Sequence, residues 1–144
     1  MIRKNPGFTI LEIVVVVIIM TVLLALAIPR FVETFERTDE RNMISNLKSL
    51  RAAMDIYLNK GWTIPAGGWG PTVGAVNAGL GLSITDPNPN MSYTCGTVDD
   101  GTNGCTIEHP IGWALEFNDD ESNGLIHCTD GSCPTCPAQP NNCE

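Results

Sequence analysis

The sequence predicts an α+β protein: one long N-terminal α-helix, half membrane-spanning and half amphipathic, packed on a small antiparallel β-sheet. Three observations carry this. Residues 8–28 are almost continuously apolar. Between Phe31 and Tyr57 the apolar residues recur at intervals of three and four. Beyond Gly61 the composition turns to Gly, Pro, Asn, Thr and Asp, broken by short β-prone runs, and all six cysteines lie there.

The first element begins after a short basic start, Met1 to Gly7, which carries Arg3 and Lys4. From Ile13 to Ile28 the only polar residue is Thr21. A helix over the 21 residues from Phe8 to Ile28 is about 31 Å long, the thickness of a bilayer core. Glu12 stands inside this run. An ionised carboxylate at membrane depth costs about 2.5–3.5 kcal/mol, so its presence calls for a partner charge. Two opposite charges stranded in hydrocarbon recover much of their separate costs by pairing.

Gly7, Phe8, Thr9 and Glu12, followed by the apolar run and Pro29, resemble the start of a type IV prepilin. The resemblance implies cleavage by a prepilin peptidase between Gly7 and Phe8, with N-methylation of Phe8. It implies further that Glu12 pairs with the Phe8 amine of a neighbouring subunit in a growing filament. Residues 1–7 are then a leader, and the fold is that of a type IV pilin. The likeness is close over residues 1 to about 60 and only architectural beyond. An ordinary secretory signal is one alternative, since Ala25-Leu26-Ala27 matches a small-x-small cleavage site. Against it stand the acid within the apolar run and the helical pattern that continues past Ala27. A plain single-pass anchor is the other alternative.

The second half of the helix is expected over residues 29–60. Phe31, Phe35, Met43, Leu47, Leu50, Met54 and Tyr57 form its apolar stripe. Glu36, Arg37, Asp39, Glu40, Arg41, Lys48, Arg51 and Asp55 read as its solvated face, mixed in sign. Gly61 is the expected stop. Pro29 lies inside the helix and removes one backbone hydrogen bond, so a kink or local melting is expected there. In the family a proline at this place allows part of the helix to unwind in the filament.

The exported domain is expected over residues 61–144. Trp62 to Pro89 reads as an ordered loop, because Gly67-Gly68, Gly70-Pro71 and Pro87-Asn88-Pro89 break any period. Strands are expected at 92–98, 105–108, 111–117 and 124–129. Trp113, Leu115 and Phe117 alternate and mark one buried face.

All eight Lys and Arg lie in residues 1–60, whereas residues 61–144 hold ten acids and no base. Nucleic-acid binding by this acidic region is excluded for want of cationic contacts to phosphate. Arg3 and Lys4 before the apolar run put the N-terminus in the cytoplasm and the acidic part outside.

Cys95, Cys105, Cys128, Cys133, Cys136 and Cys143 fall in that exported part, where disulfides persist. Each contributes about 2–4 kcal/mol to a small sheet short of large apolar residues. Cys95 and Cys105 flank a turn and suit a cross-strand pair. The other four would tie the tail to the last strand, with their pairing open among the 15 connectivities that six cysteines allow. Many pilins close a C-terminal loop with one disulfide, and six cysteines exceed that pattern. His127-Cys128 with Cys133-Pro-Thr-Cys136 also has zinc-ligand spacing, and the Cys-x-x-Cys could be a redox pair.

Calcium is the better candidate cofactor. Residues 99–104 and 118–124 cluster oxygen ligands in turns, with Asp119, Asp120 and Glu121 the chief candidates. Neither turn is an EF-hand, and the precedent is the calcium site of major type II secretion pseudopilins. Asn90-Met91-Ser92 is an N-x-Ser sequon. No nucleophile–base constellation or phosphate-cradling loop is present in the sequence, so no catalysis is expected.

The function expected from the resemblance is that of a structural subunit of a type IV pilus, a helical homopolymer. It would reside in the bacterial inner membrane as a precursor and in the extracellular filament afterwards. Its partners would be its own copies, the prepilin peptidase and the inner-membrane assembly machinery. A type II secretion pseudopilin, or a monomeric membrane-anchored binding protein, is the alternative. Adhesion, motility and DNA uptake are roles found in the family. Nine aromatics in 144 residues are few for a current-carrying filament.

Overall fold

The computed structural model describes residues 9–86, 88–97, 103–118, 125–129, 132–136 and 143. The chain divides into two compact units, Met1–Phe35 and Glu36–Glu144.

Helix α1 covers Ile10–Asn59. Thr9 starts it: its carbonyl accepts from the Glu12 and Ile13 amides at 3.1 and 3.3 Å, and its hydroxyl accepts from Glu12 N at 3.3 Å. That is an N-cap arrangement, and Glu12 in the first turn also suits the positive end of the helix dipole. The helical assignment continues through position 29. The helix stops where Gly61 takes a left-handed φ of 76° and its amide returns to Leu58 O at 2.8 Å.

Within the second unit, Met43, Leu47, Leu50 and Met54 of α1 are essentially fully buried. They join a core with Val76, Tyr93, Ile107, Trp113, Leu115 and Phe117. The sheet has order β1-β2-β3-β4 and is antiparallel throughout: β1 Ser92–Thr97, β2 Asn103–Glu108, β3 Ala114–Asn118 and β4 His127–Cys128. Leu115 and Phe117 point inward from β3, as their alternation predicts, with Trp113 buried just before it.

Three expectations are corrected. The segment expected as loop contains a second helix, α2, Val73–Leu80. Thr72 caps it by accepting from Ala75 N at 3.2 Å, and Gly81 ends it at φ 70°. Gly74 and Gly79 concealed this helix in the sequence. Gly79 is there for packing, because a Cβ on it would strike the Trp69 indole. Residue Trp69 itself bridges to Cys95, exchanging backbone bonds of 2.6 and 2.8 Å.

The strand expected from residue 111 begins instead at Ala114. Pro110 to Gly112 form a turn, with Gly112 at φ 103° and its amide on His109 O at 2.9 Å. The last strand is shorter than residues 124–129, pairing only Leu115 with Cys128 and Glu116 with His127.

The third correction concerns α1. Glu40 does not belong to the solvated face: it has no exposed surface. It lies three residues before Met43 and seven before Leu47, on the buried stripe itself.

Candidate assembly surface

Every described apolar side chain from Ile10 to Ile28, apart from Ala27, is exposed in the single chain, from 44% at Val16 to 86% at Ile10. The most apolar 18-residue window of α1 has mean hydropathy 3.1, and none of it is buried. By length and composition α1 can cross a membrane. Glu12 is exposed among these side chains, and between it and Arg30 no other charged residue occurs. A carboxylate on an otherwise apolar helix must either find a cation or lose its charge in a low-dielectric setting. Gly7 and Phe8, the predicted processing residues, lie outside the described residues, as do Asp119, Asp120 and Glu121 of the predicted calcium turn. Among the described residues no group of three or more His, Cys, Asp or Glu side chains is placed to hold a metal.

The six cysteines form three disulfides. Cys95 and Cys105 stand directly opposite in the β1–β2 register, with Cα atoms 4.1 Å apart. Cys128 bonds Cys133, and Cys136 bonds Cys143. Cys133 and Cys136 thus belong to different bridges, so the Cys-x-x-Cys is not a redox pair. The sulfurs that zinc would need are spent as well.

Both histidines are buried and bonded. His127 Nε2 lies 3.0 Å from Glu116 Oε1, across the β3–β4 pair. His109 Nε2 lies 3.2 Å from Asp39 Oδ2 on α1, and its ring stacks on Trp113 at 4.5 Å between centroids.

The residue that sequence reasoning missed is Glu40. Its carboxylate accepts from Thr135 N at 2.9 Å, from Cys136 N at 2.7 Å and from the Thr135 hydroxyl. The signal was its place on the apolar stripe. A lone acid at a core position must be hydrogen-bonded there, and it fastens the cysteine-rich C-terminal segment to α1.

A polar cleft of about 320 Å³ is lined by Asn42, Ser45 and Asn46 of α1 and by Thr85 and Asp86. Beside it Asn46 Nδ2 donates to the Tyr93 hydroxyl at 3.0 Å. Burial pushes the Tyr93 phenol up to about 12 and raises Asp86 above the ordinary carboxylate value. No constellation for catalysis is assembled in this cleft.

Comparison with known proteins bears on the apolar segment. Residues 2–28 match the prokaryotic N-terminal methylation motif. The chain is 38% identical over 55 residues to the type II secretion system core protein G of Klebsiella pneumoniae, covering 38% of this chain and 39% of that protein. It is 41% identical over 54 residues to the core protein G of Pectobacterium carotovorum, covering 38% of this chain and 35% of that protein. It is 32% identical over 62 residues to the type IV narrow pilus major component PilA5 of Thermus thermophilus, covering 43% of this chain and 53% of that protein. The chain thus spans between about a third and half the length of these relatives. None of these names is that of an enzyme. No solved structure matches the chain. In the methylation motif, the exposed apolar half of α1 and these likenesses, the chain is similar to type IV pilin-like proteins over its N-terminal part.

Proposed function

We propose that the chain is the structural subunit of a type IV pilus. A prepilin peptidase cuts between Gly7 and Phe8 and methylates Phe8, and the subunit waits in the inner membrane on residues 8–28. Assembly then transfers that helix from lipid to the apolar centre of a filament, with the disulfide-bonded domain outside. The observation that carries this reading is the fully exposed apolar half-helix bearing a single acid, Glu12. A side chain that costs about 2.5–3.5 kcal/mol in the bilayer repays its presence when a neighbour's Phe8 ammonium meets it. Such a pair fixes register between copies as well as attraction.

The domain has no catalytic role in this account, and its partners are other copies and the membrane-bound assembly machinery. The second reading is a type II secretion pseudopilus subunit. The higher identity to the core protein G sequences favours it. The longer match to the pilus component, and a tail with six cysteines, favour the pilus. Identification of the main protein in sheared surface filaments separates the two. Replacing Glu12 tests the shared mechanism: E12A is expected to abolish filaments while the processed precursor still accumulates in the membrane. Normal filaments from E12A would remove the ion pair from the account.

A further inference from the structure

Within the second unit, Ile56, Trp62 and Ile111 are the large apolar side chains that stay exposed among the described residues, at 58%, 53% and 60%. They fall in two places. Trp62 follows the end of α1, where its ring packs edge-on against Tyr57 at 5.0 Å and the Lys60 ammonium lies 4.8 Å from its centroid. Tyr57 is braced in turn by Trp69 at 5.2 Å. Trp62 is therefore an exposed aromatic already held in place, so little side-chain entropy remains to be lost when a partner covers it. Ile111 sits in the β2–β3 turn, after exposed Glu108 and Pro110.

Charge divides the two places. Lys60 is the last basic residue of the chain, and every charge after it is acidic. Of the described acids beyond it, Asp86 is half-buried with its carboxylate on Asn88 N, and Glu116 is bonded to His127. Glu108 is the exposed one. Among the described residues neither Glu108 nor Lys60 is in an intramolecular ion pair.

We propose that successive copies meet head to tail, with Lys60 and Trp62 of one copy seated against Glu108 and Ile111 of the next. Lys60 lies over Trp62, Glu108 precedes Ile111 by three residues at the mouth of the β2–β3 turn, and the two charges are opposite in sign. Meeting its own kind would set Lys60 against Lys60 or Glu108 against Glu108, so each patch favours the unlike one. Made once per junction, this contact leaves one patch free at each end, and such heterologous contacts build an open helical assembly when the rotation does not close. This inference rests on the filament reading and supplies it with a contact outside the apolar helices.

The test is charge exchange in the full-length chain, comparing K60E, E108K and the double variant for the fraction of processed subunit left unassembled. Each single reversal is expected to raise that fraction about fivefold, the scale of one rim ion pair turned repulsive, and the double variant to return it to near wild type. Single reversals without effect, or a double variant no better than either single, would overturn the contact. A separate readout is the acrylamide quenching of Trp62, taken as the difference between wild type and W62F. Quenching about threefold weaker in filaments than in monomers supports the contact, since a covered indole is shielded from solvent. Unchanged quenching contradicts it while leaving the filament reading intact. Absence of filaments from the wild-type chain overturns that reading, and this contact with it.

Discussion

The backbone amide of Cys136 donates a 2.7 Å hydrogen bond to Glu40 Oε1, joining α1 to the C-terminal segment across 96 residues. Two further donors from Thr135 reach the same carboxylate. Two short-range disulfides flank this anchor, closing loops of sequence separation 5 and 7. Such bridges order the segment locally, but neither ties it to the helix. Glu40 does that.

Glu40→Ala should therefore destabilise the domain by about 3 kcal/mol, because it strands several buried donors at once. Thermal melts of the full chain in detergent, followed by circular dichroism, measure this. Glu40→Gln retains one acceptor oxygen and should fall between. A Glu40→Ala melt equal to wild type would mean the C-terminal segment is docked by other contacts.

Gly79→Ala ordinarily strengthens a helix, by about 1 kcal/mol. Here the new methyl would run into the Trp69 ring, so a loss of about 1–3 kcal/mol is expected instead. A double change to Gly79→Ala with Trp69→Leu should recover part of that loss. Denaturant unfolding of wild type, Gly79→Ala, Trp69→Leu and the double variant gives the coupling between the two positions.

Burial raises two groups near the polar cleft, and the stability linked to each falls as pH rises, in different ranges. Tyr93 is held protonated, its phenol pushed to about 12 from 10.0. The stability linked to it is complete below pH 10 and is lost as pH rises through about 12. An ultraviolet titration should show Tyr93, one of two tyrosines, ionising late and together with unfolding.

Asp86 is also raised, mainly by burial, so its charged form is the less favoured one in the fold. Its linked stability is present below the unfolded value of 3.8 and declines as pH rises through the folded value. Asp86→Asn should thus melt higher than wild type at pH 7, and the gap should close on acidification below pH 4. A constant gap across that range would assign the effect to packing.

What the sequence disclosed follows from how each element is encoded. The long helix was legible because its apolar pattern persists for fifty residues, first continuous and then periodic. The inward set of β3 was legible because Leu115 and Phe117 alternate with polar neighbours. Helix α2 was not, since Gly74 and Gly79 weaken a segment that a threonine cap and a packed indole stabilise. The close approach of the Trp69 indole to Gly79 exists only in the folded chain. Glu40 was misread because its partners are distant in the chain. A charged residue on a helix looks solvated until its long-range partner, here Cys136, is in view.

The account turns on where the mature chain begins, because only a new amine at position 8 supplies the cation that Glu12 lacks. Intact-mass and fragmentation analysis of the assembled protein measures this directly. The account predicts a mature chain starting at N-methylated Phe8. A chain that retains Met1, or that starts at Ile28 after an ordinary signal cleavage, would contradict it.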